Sequence, residues 1–140
     1  MKIEHVAIWA SDIDKVCEFY RKYFGGVVQP FYHNPAKQFT SRFITFESGA
    51  RLEIMHRPDI GKGAGTFHVE HLGFAHISFS VGSKEDVDRL TRQMSGDGIT
   101  IVGEPRTTGD GYYESVVLDP EGNRVEVSAT GKYSSIYSGD

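Results

Sequence analysis

The sequence is poor in cysteine and has no long hydrophobic run. Its single cysteine, Cys17, excludes an intramolecular disulfide and a multi-cysteine zinc site, as is typical of a reducing compartment. Nowhere do about 18 uncharged apolar residues follow one another, and the start of the chain does not resemble a signal sequence. We therefore expect a soluble cytoplasmic protein that does not associate with a membrane.

The chain also lacks an excess of basic residues. It has 15 Lys and Arg against 19 Asp and Glu, which gives a net charge of −4, and the basic residues are scattered. Because the sequence lacks the clustered basic residues of a protein that binds duplex nucleic acid, we expect no nucleic-acid partner. With 39% hydrophobic residues among 140, the chain can form one domain, or two small modules that share a core.

The apolar pattern of the first part of the chain predicts a strand, a helix and three further strands. Alternation over residues 2–9 indicates the first strand, and Ser11-Asp12-Ile13-Asp14 matches a capping box that opens a helix ending at Gly25-Gly26. The predicted apolar face of this helix comprises Ile13, Val16, Cys17, Tyr20, Tyr23 and Phe24. The three later strands are predicted at about 27–32, 40–47 and 51–56.

The same order of elements is predicted again after a glycine-bearing linker at 57–71. Ser83 opens the second helix, which carries Val87, Leu90 and Met94 on one face. The strands of this part are predicted at about 73–81, 99–103, 113–118 and 124–128. Residues 129–140 are polar and form a tail. The chain therefore divides into a first module at 1–56 and a second at 72–128, which together make one domain.

An internal repeat relates the two modules. His5-Val6-Ala7-Ile8 lies over His76-Ile77-Ser78-Phe79 at an offset of 71 residues, and Gly49 to Ile54 lies over Gly122 to Val127 at an offset of 73. Glycine, arginine, glutamate and the apolar positions all recur in the second pair of segments. Two βαβββ modules related by a pseudo-twofold axis account for this pattern.

The repeat singles out one histidine early and one glutamate late in each module: His5, Glu53, His76 and Glu126. Each lies in a predicted strand, with apolar side chains on the opposite face: Val6 and Ile8 oppose His5, Leu52 and Ile54 oppose Glu53, and Val125 and Val127 oppose Glu126. Because side chains alternate along a strand, the apolar neighbours pack under the helix and these polar residues face the other side of the sheet. The predicted fold is therefore α+β, with the two βαβββ modules forming a curved mixed sheet around a metal site.

Two imidazoles and two carboxylates that converge in a partly closed cavity need a compensating charge. Carboxylates brought together repel one another and lose solvation, whereas a divalent cation removes the conflict. Nitrogen and oxygen donors of this kind suit Zn, Ni, Co, Mn or Fe, and octahedral coordination leaves two positions for substrate. The simpler alternative is that the histidines are structural residues held by hydrogen bonds.

Several other residues are weaker candidates. His68 and His71 lie beside Glu70 and are interpreted as surface residues, with a second metal contact as the alternative. Gly61 to Gly65 is interpreted as a hinge, because it lacks the spacing of a phosphate-binding loop, and Cys17 as a core residue. The loop from Arg106 to Tyr113 is either a substrate clamp or an ordinary turn. Three arginines would either bind an anionic substrate or orient the carboxylates: Arg42, Arg51 and Arg124. The tentative substrate contacts are Arg42 and Tyr113.

The motifs resemble the vicinal oxygen chelate superfamily, which includes glyoxalase I, methylmalonyl-CoA epimerase, extradiol dioxygenases, and fosfomycin-resistance and bleomycin-binding proteins. The resemblance covers residues 2–128. Its most specific segments are His5-Val6-Ala7-Ile8 with the helix ending Phe24-Gly25-Gly26, the strand from Ala75 to Val81, and Leu118 to Glu126. Glu53 as a fourth ligand favours glyoxalase I, because the dioxygenases and fosfomycin-resistance enzymes use two histidines and one carboxylate, and the epimerase usually has Gln there.

The resemblance implies a metal-dependent lyase or isomerase of the glyoxalase I type, similar to lactoylglutathione lyase. Such an enzyme holds two adjacent oxygens of a small substrate, for example a hemithioacetal, and moves a proton through an enediolate. The implied cofactor is Ni, Zn or Co, with Fe or Mn as alternatives. Glu126 is the favoured base, with Glu53 as its pseudo-symmetric alternative.

Three other functions stay open: an extradiol-type dioxygenase, an epimerase, and a non-catalytic small-molecule binding or resistance protein. A homodimer is expected from the resemblance and because each module alone exposes a sheet face and edge strands. The linker allows the modules to pair within one chain or to swap between two chains.

Overall fold

The computed structural model describes residues 1–63 and 70–132. The chain divides into two compact units, Met1–Thr66 and Phe67–Asp140. In its described residues, each unit has one α-helix and one mixed β-sheet, which confirms the predicted α+β class and the two βαβββ modules. Of the predicted linker, residues 64–69 lie outside the described residues, as do residues 133–140 of the predicted tail. No helix in the described part of the chain is long and apolar enough to cross a bilayer.

The first unit has strand order β1-β5-β4-β2, with β3 also paired to β4. β1 and β5 run parallel, and the pairings of β2, β3 and β5 with β4 are antiparallel. The predicted strand at 27–32 is wrong as a single element, because Pro30 has no N–H for the ladder and the chain forms two short strands on either side of it. The elements are β1 (His5–Trp9), α1 (Ile13–Phe24), β2 (Val27–Val28), β3 (Tyr32–Asn34), a 3-10 turn (Pro35–Lys37), β4 (Phe39–Thr45) and β5 (Arg51–His56).

The second unit repeats this arrangement with strand order β6-β9-β8-β7, in which β6 and β9 run parallel. Strand β7 continues beyond the predicted end at residue 103, because register shifts on both sides of Gly103 carry it past Pro105. As an edge strand, β7 tolerates a proline. The elements are β6 (His76–Gly82), α2 (Lys84–Gly96), β7 (Ile101–Thr107), β8 (Tyr113–Leu118) and β9 (Arg124–Ala129).

Each helix covers one face of its own sheet. On α1, Phe19 is buried although the spacing did not select it, whereas the predicted Phe24 is only half-buried at the last residue of the helix. Cys17 is a core residue as predicted, and burial raises the pKa of its thiol to about 11. On α2, the predicted face is buried: Val87, Leu90 and Met94.

A side chain caps the N-terminus of each helix, and in α1 the capping residue differs from the predicted one. In α1 the N-cap is Asp12, not Ser11, because the Asp12 carboxylate accepts the Lys15 N–H at 3.0 Å. In α2 the cap is Ser83 as predicted. Asp86 completes its capping box by accepting the Ser83 N–H at 2.9 Å.

The capping box predicts how the stability of α2 depends on pH. Hydrogen bonds from Ser83 and Arg89 lower the pKa of Asp86 from 3.8 to about 2. Because the folded pKa lies below the unfolded value, this stabilisation is complete above pH 3.8 and is lost as the pH falls towards 2. Asp86→Asn should therefore lower the melting temperature at neutral pH. Circular dichroism melts should show that the difference from wild type shrinks across this window, whereas a constant difference would contradict the assignment.

Candidate metal centre

In the first unit, His5 and Glu53 lie next to each other on the open face of the sheet. The register of β1 and β5 places Ala7 opposite Glu53, so His5, two residues earlier, shares that face. Leu52 and Ile54 are buried on the helix side, as the alternation predicts. His5 Nε2 and Glu53 Oε1 are 3.9 Å apart, and the side chains are 43% and 17% exposed.

The second unit repeats this arrangement with His76 and Glu126. Ser78 lies opposite Glu126 in the parallel pair of β6 and β9, and His76 is two residues before it on the same face. His76 Nε2 and Glu126 Oε1 are 3.1 Å apart. The side-chain exposures, 43% and 17%, equal those of the first pair. The two units thus present matched His–Glu pairs, as the repeat predicts.

A charged partner also holds the first histidine. His5 Nδ1 lies 3.2 Å from Glu4 Oε2, and since a carboxylate only accepts, the ring donates from Nδ1 and leaves Nε2 towards Glu53. Arg51 Nε donates to the same Glu4 oxygen at 3.1 Å, and the Arg51 guanidinium lowers the pKa of Glu4. Glu4 was not selected from the sequence, although its position beside His5 was a usable signal.

The arginines two residues before each glutamate are paired in the same way. Arg51 pairs with Glu4, and Arg124 donates to Glu70, whose pKa this contact lowers. Glu70 was not selected from the sequence, and it contributes an ion pair at the second unit. Both arginines therefore neutralise carboxylates near the His–Glu pairs.

The two glutamates have different electrostatic surroundings. Burial raises the pKa of Glu126, and the neighbouring Glu114 carboxylate, which favours the protonated form of Glu126, raises it further, against the opposing effects of His76 and Ser78. Glu114 was not selected from the sequence. The alternation of side chains along β8 could have indicated Glu114, because Ser115 and Val117 are fully buried and Glu114 faces the other side of the sheet.

His76 and Glu126 line two neighbouring cavities in the second unit. One has a volume of about 850 Å³ and is also lined by Val116, Arg106 and Arg124. The other has about 460 Å³ and is also lined by Ser78, Glu114, Ser128, Asp110 and Tyr112. Both lie in the size range of small-molecule sites. Residues of the loop from 106 to 113, which the sequence offers as a substrate clamp, line both cavities.

The two tentative substrate contacts lie on the opposite faces of their sheets. Arg42 pairs with Ile54 in the register of β4 and β5, and it donates to the Gln29 carbonyl at 2.8 Å and to Asp14 of α1. Tyr113 donates to Asp88 of α2 at 2.6 Å, which raises its pKa to about 12. Because both side chains contact helix residues, neither of them lies on the open face with the His–Glu pair of its own unit.

The remaining candidates join no cluster. His71 is exposed, and His68 lies outside the described residues, as do the last two residues of the glycine segment at 61–65. Within residues 1–63 and 70–132, no group of three or more His, Cys, Asp or Glu side chains is arranged to hold a metal ion.

The donor chemistry of each pair fits a divalent cation. Each pair turns an imidazole nitrogen and a carboxylate oxygen towards each other at 3.1–3.9 Å on a partly exposed sheet face. Nitrogen and carboxylate donors of this type suit first-row divalent metals. Burial and the neighbouring Glu114 raise the pKa of Glu126, and a cation beside it would offset both effects.

Known structures with the same fold are glyoxalases and related proteins. The trypanothione-dependent glyoxalase I of Leishmania major is 20% identical with a TM-score of 0.74, covering 92% of this chain and 86% of that chain. A glyoxalase family protein from Enterococcus faecalis is 26% identical with a TM-score of 0.72, covering 91% and 96%. A lactoylglutathione lyase from Agrobacterium tumefaciens is 23% identical with a TM-score of 0.63, covering 91% and 92%. No protein of curated function matches the sequence.

Fold and site together define a class of protein built from paired βαβββ modules, each with histidine and glutamate on the open face of its sheet. The family model of the Glyoxalase/Bleomycin resistance protein/Dioxygenase superfamily matches residues 2–127. The chain belongs to this superfamily, whose members bind small molecules and typically a divalent metal.

Proposed function

We propose that the protein is a metal-dependent lyase or isomerase of the glyoxalase I type. The observation that carries this proposal is the pair of matched His–Glu contacts, one in each unit, with equal side-chain exposures. His5, Glu53, His76 and Glu126 would bind one divalent cation, Ni, Zn or Co. The glyoxalase I and lactoylglutathione lyase among the structural relatives support this reaction class.

The chain's own residues supply ligation, proton transfer and substrate space. A divalent cation held by these four residues would supply Lewis-acid chemistry towards the substrate oxygens. Glu126 takes the proton from one carbon and returns it to the neighbouring carbon, so no proton is gained or lost overall. Glu53 is the pseudo-symmetric alternative for this step. The cavities beside Glu126 have room for a small substrate such as a hemithioacetal.

The four-residue ligand set also separates this proposal from its rivals. An extradiol-type dioxygenase uses Fe and oxygen, an epimerase acts on a different carbon acid, and a binding or resistance protein turns nothing over. Glu53 favours the lyase because it adds a second carboxylate to the two histidines and Glu126.

An activity assay distinguishes these functions. Protein loaded separately with Ni, Zn, Co or Fe is mixed with hemithioacetals formed from several thiols, with and without oxygen. Oxygen-independent isomerisation with Ni, Zn or Co is expected. Oxygen consumption with Fe and a catechol would instead identify a dioxygenase. Tight ligand binding without turnover under any condition would identify a binding protein.

We also propose that the protein is a homodimer. Four apolar side chains are largely exposed, two and four residues before each candidate ligand histidine: Met1, Ile3, Leu72 and Phe74. Because an apolar pair occurs at the same two positions before each histidine, a second copy of the chain can cover these side chains through a symmetric contact.

Light scattering tests the dimer and should give a mass of about twice 15.6 kDa. The double variant Leu72→Glu with Phe74→Glu should shift the protein towards monomer, whereas Ile60→Glu should not. A wild-type mass of 15.6 kDa at micromolar concentration would contradict the dimer.

A further inference from the structure

Three aromatic side chains form a continuous row on the open face of the first unit. Trp9 is on β1, Phe39 on β4 and Tyr32 on β3. The ring centroids of Trp9 and Phe39 are 6.2 Å apart, and those of Tyr32 and Phe39 are also 6.2 Å apart. The first contact is edge-to-face and the second is tilted, geometries that aromatic pairs adopt in preference to a face-to-face stack. These three side chains are here called the aromatic row.

Strand register places the aromatic row on the same face as His5 and Glu53. Trp9 is four residues after His5 on β1 and lies opposite Met55. Met55 is two residues after Glu53 on β5, and Tyr32 joins this face through the pairing of β3 with β4. Because a strand advances about 3.3 Å per residue, the level of Trp9 is about 7 Å from that of Glu53 along the sheet.

The aromatic row is accessible although its rings are large and apolar. Trp9 is 40% exposed and Tyr32 is 57% exposed, and Phe39, which contacts both, is half-buried. A single exposed apolar side chain is ordinary on a protein surface, whereas a contiguous exposed patch marks a surface that binds an apolar partner. Arg57 Cζ lies 5.4 Å from the centroid of the Trp9 ring, and Arg57 is itself paired with Asp59, so one end of the row is held in place.

The fold does not require aromatic side chains at these positions. Ser80 on β6 is the counterpart of Trp9 in the internal repeat, because each is four residues after its candidate ligand histidine. Arg106 on β7 is the counterpart of Tyr32, because each belongs to the line of paired residues that passes two residues after the ligand glutamate of its unit. The second unit forms the same kind of sheet with a serine and an arginine there, so the aromatic row is not needed to build the sheet.

An apolar group of the substrate itself is the occupant that fits the aromatic row. The candidate ligands and the row lie on one face of one sheet. Ala7 is the residue between His5 and Trp9 on this face of β1, and its methyl group leaves the path along the strand open. When two adjacent oxygens of a substrate lie at a metal held by His5 and Glu53, a ring two or three bonds away from those oxygens reaches the row.

We propose that the aromatic row is the subsite for an apolar group of the substrate. The preferred substrate then carries a phenyl ring, or an apolar group of similar size, next to its two adjacent oxygens. This inference rests on the proposed function, because it names the substrate class for the same metal site. Trp9 and Phe39 determine specificity and take no part in proton transfer.

A pair of hydroxamates tests the subsite without an activity assay. Phenylacetohydroxamate and acetohydroxamate present the same two adjacent oxygens to a metal and differ by one phenyl ring. Calorimetric titration of each into the Zn-loaded full chain gives two dissociation constants. The wild type should bind phenylacetohydroxamate about 10-fold more tightly, because a ring that packs on the row is removed from water. Trp9 is the only tryptophan of the chain, so its fluorescence should change more with phenylacetohydroxamate than with acetohydroxamate.

Variants of the aromatic row should lose the selectivity and keep the metal site. In Trp9→Ala and Phe39→Ala, the ratio of the two dissociation constants should fall towards unity, while the affinity for acetohydroxamate stays at the wild-type value. Trp9→Phe keeps an aromatic ring and should retain most of the ratio. Because both ligands are measured on the same protein, the ratio also reports on a variant that is less stable than the wild type.

Phe31→Ala is the matched control. Phe31 is an exposed aromatic side chain close to the row in sequence, but Arg42 Cζ lies 4.3 Å from its ring centroid, and Arg42 contacts α1 on the helix side of the sheet. The ratio of the two dissociation constants should therefore be unchanged in Phe31→Ala.

Four results would overturn the inference, and they are distinguishable. Equal affinity of the wild type for the two hydroxamates would overturn the aromatic subsite and leave the metal site intact. An unchanged ratio in both Trp9→Ala and Phe39→Ala would do the same. A halved mass of Phe39→Ala in light scattering would show that a second copy of the chain covers the row, which contradicts a substrate there. Failure of both hydroxamates to bind the Zn-loaded wild type would overturn the proposed function together with the inference.

Discussion

Glu126→Gln is expected to lower the turnover of the true substrate by about 10²–10⁴-fold, the usual size of a lost general base. Glutamine is nearly the same size as glutamate but is not a base, so the variant should keep its circular dichroism spectrum and part of its metal affinity. The turnover number is measured by the absorbance change of hemithioacetal isomerisation at saturating metal, with protein whose metal content has been determined.

The companion variants decide which carboxylate transfers the proton. Glu53→Gln should lower turnover less than Glu126→Gln does. Glu47→Gln, in the exposed turn between β4 and β5, is the matched control and should leave turnover unchanged. Near-normal turnover in Glu126→Gln together with a large loss in Glu53→Gln would reverse the two roles. Normal turnover in both variants would contradict proton transfer by a carboxylate.

Ile54→Ala is expected to lower the free energy of unfolding by about 2–5 kcal/mol, the usual range for removing a buried isoleucine side chain. Ile54 is fully buried on the helix side of β5, next to Glu53. Its truncation leaves a cavity under α1, in a unit whose small core has little stability to lose. Urea unfolding followed by circular dichroism measures the effect.

Met55→Ala is the matched control for the alternation of β5. Met55 is half-buried and lies on the same face as Glu53, so its truncation should lower the free energy of unfolding by much less than that of Ile54. A loss as large as that of Ile54→Ala would mean that the open face belongs to the stabilising core.

Local periodicity was sufficient to predict which faces of the strands are buried. Leu52, Ile54, Val125 and Val127 are buried as expected, because a two-residue period depends only on neighbours along one strand. The repeat added the long-range information, since it selected one histidine and one glutamate in each unit that the structure places side by side. The pairing of two strands brings each histidine next to its glutamate, and the internal repeat makes these two positions recognisable in the sequence.

Contacts that depend on register between strands were not predictable in this way. Glu114 accepts a hydrogen bond from Ser128 through the pairing of β8 with β9, and no local pattern marks that pairing. Arg42 and Tyr113 were selected for their chemistry, yet their register positions turn them towards α1 and α2. The split of the predicted strand at 27–32 has a local cause, the proline within it, and was in principle readable.

The metal content of the wild-type protein and of four single alanine variants tests the central claim most directly. Each protein is loaded with Ni or Zn, dialysed, and analysed for bound metal by mass spectrometry. We expect about one ion per chain in the wild type and strongly reduced metal in each of the variants at His5, Glu53, His76 and Glu126. Full metal content in all four variants, with loss only when His71 is replaced, would contradict it.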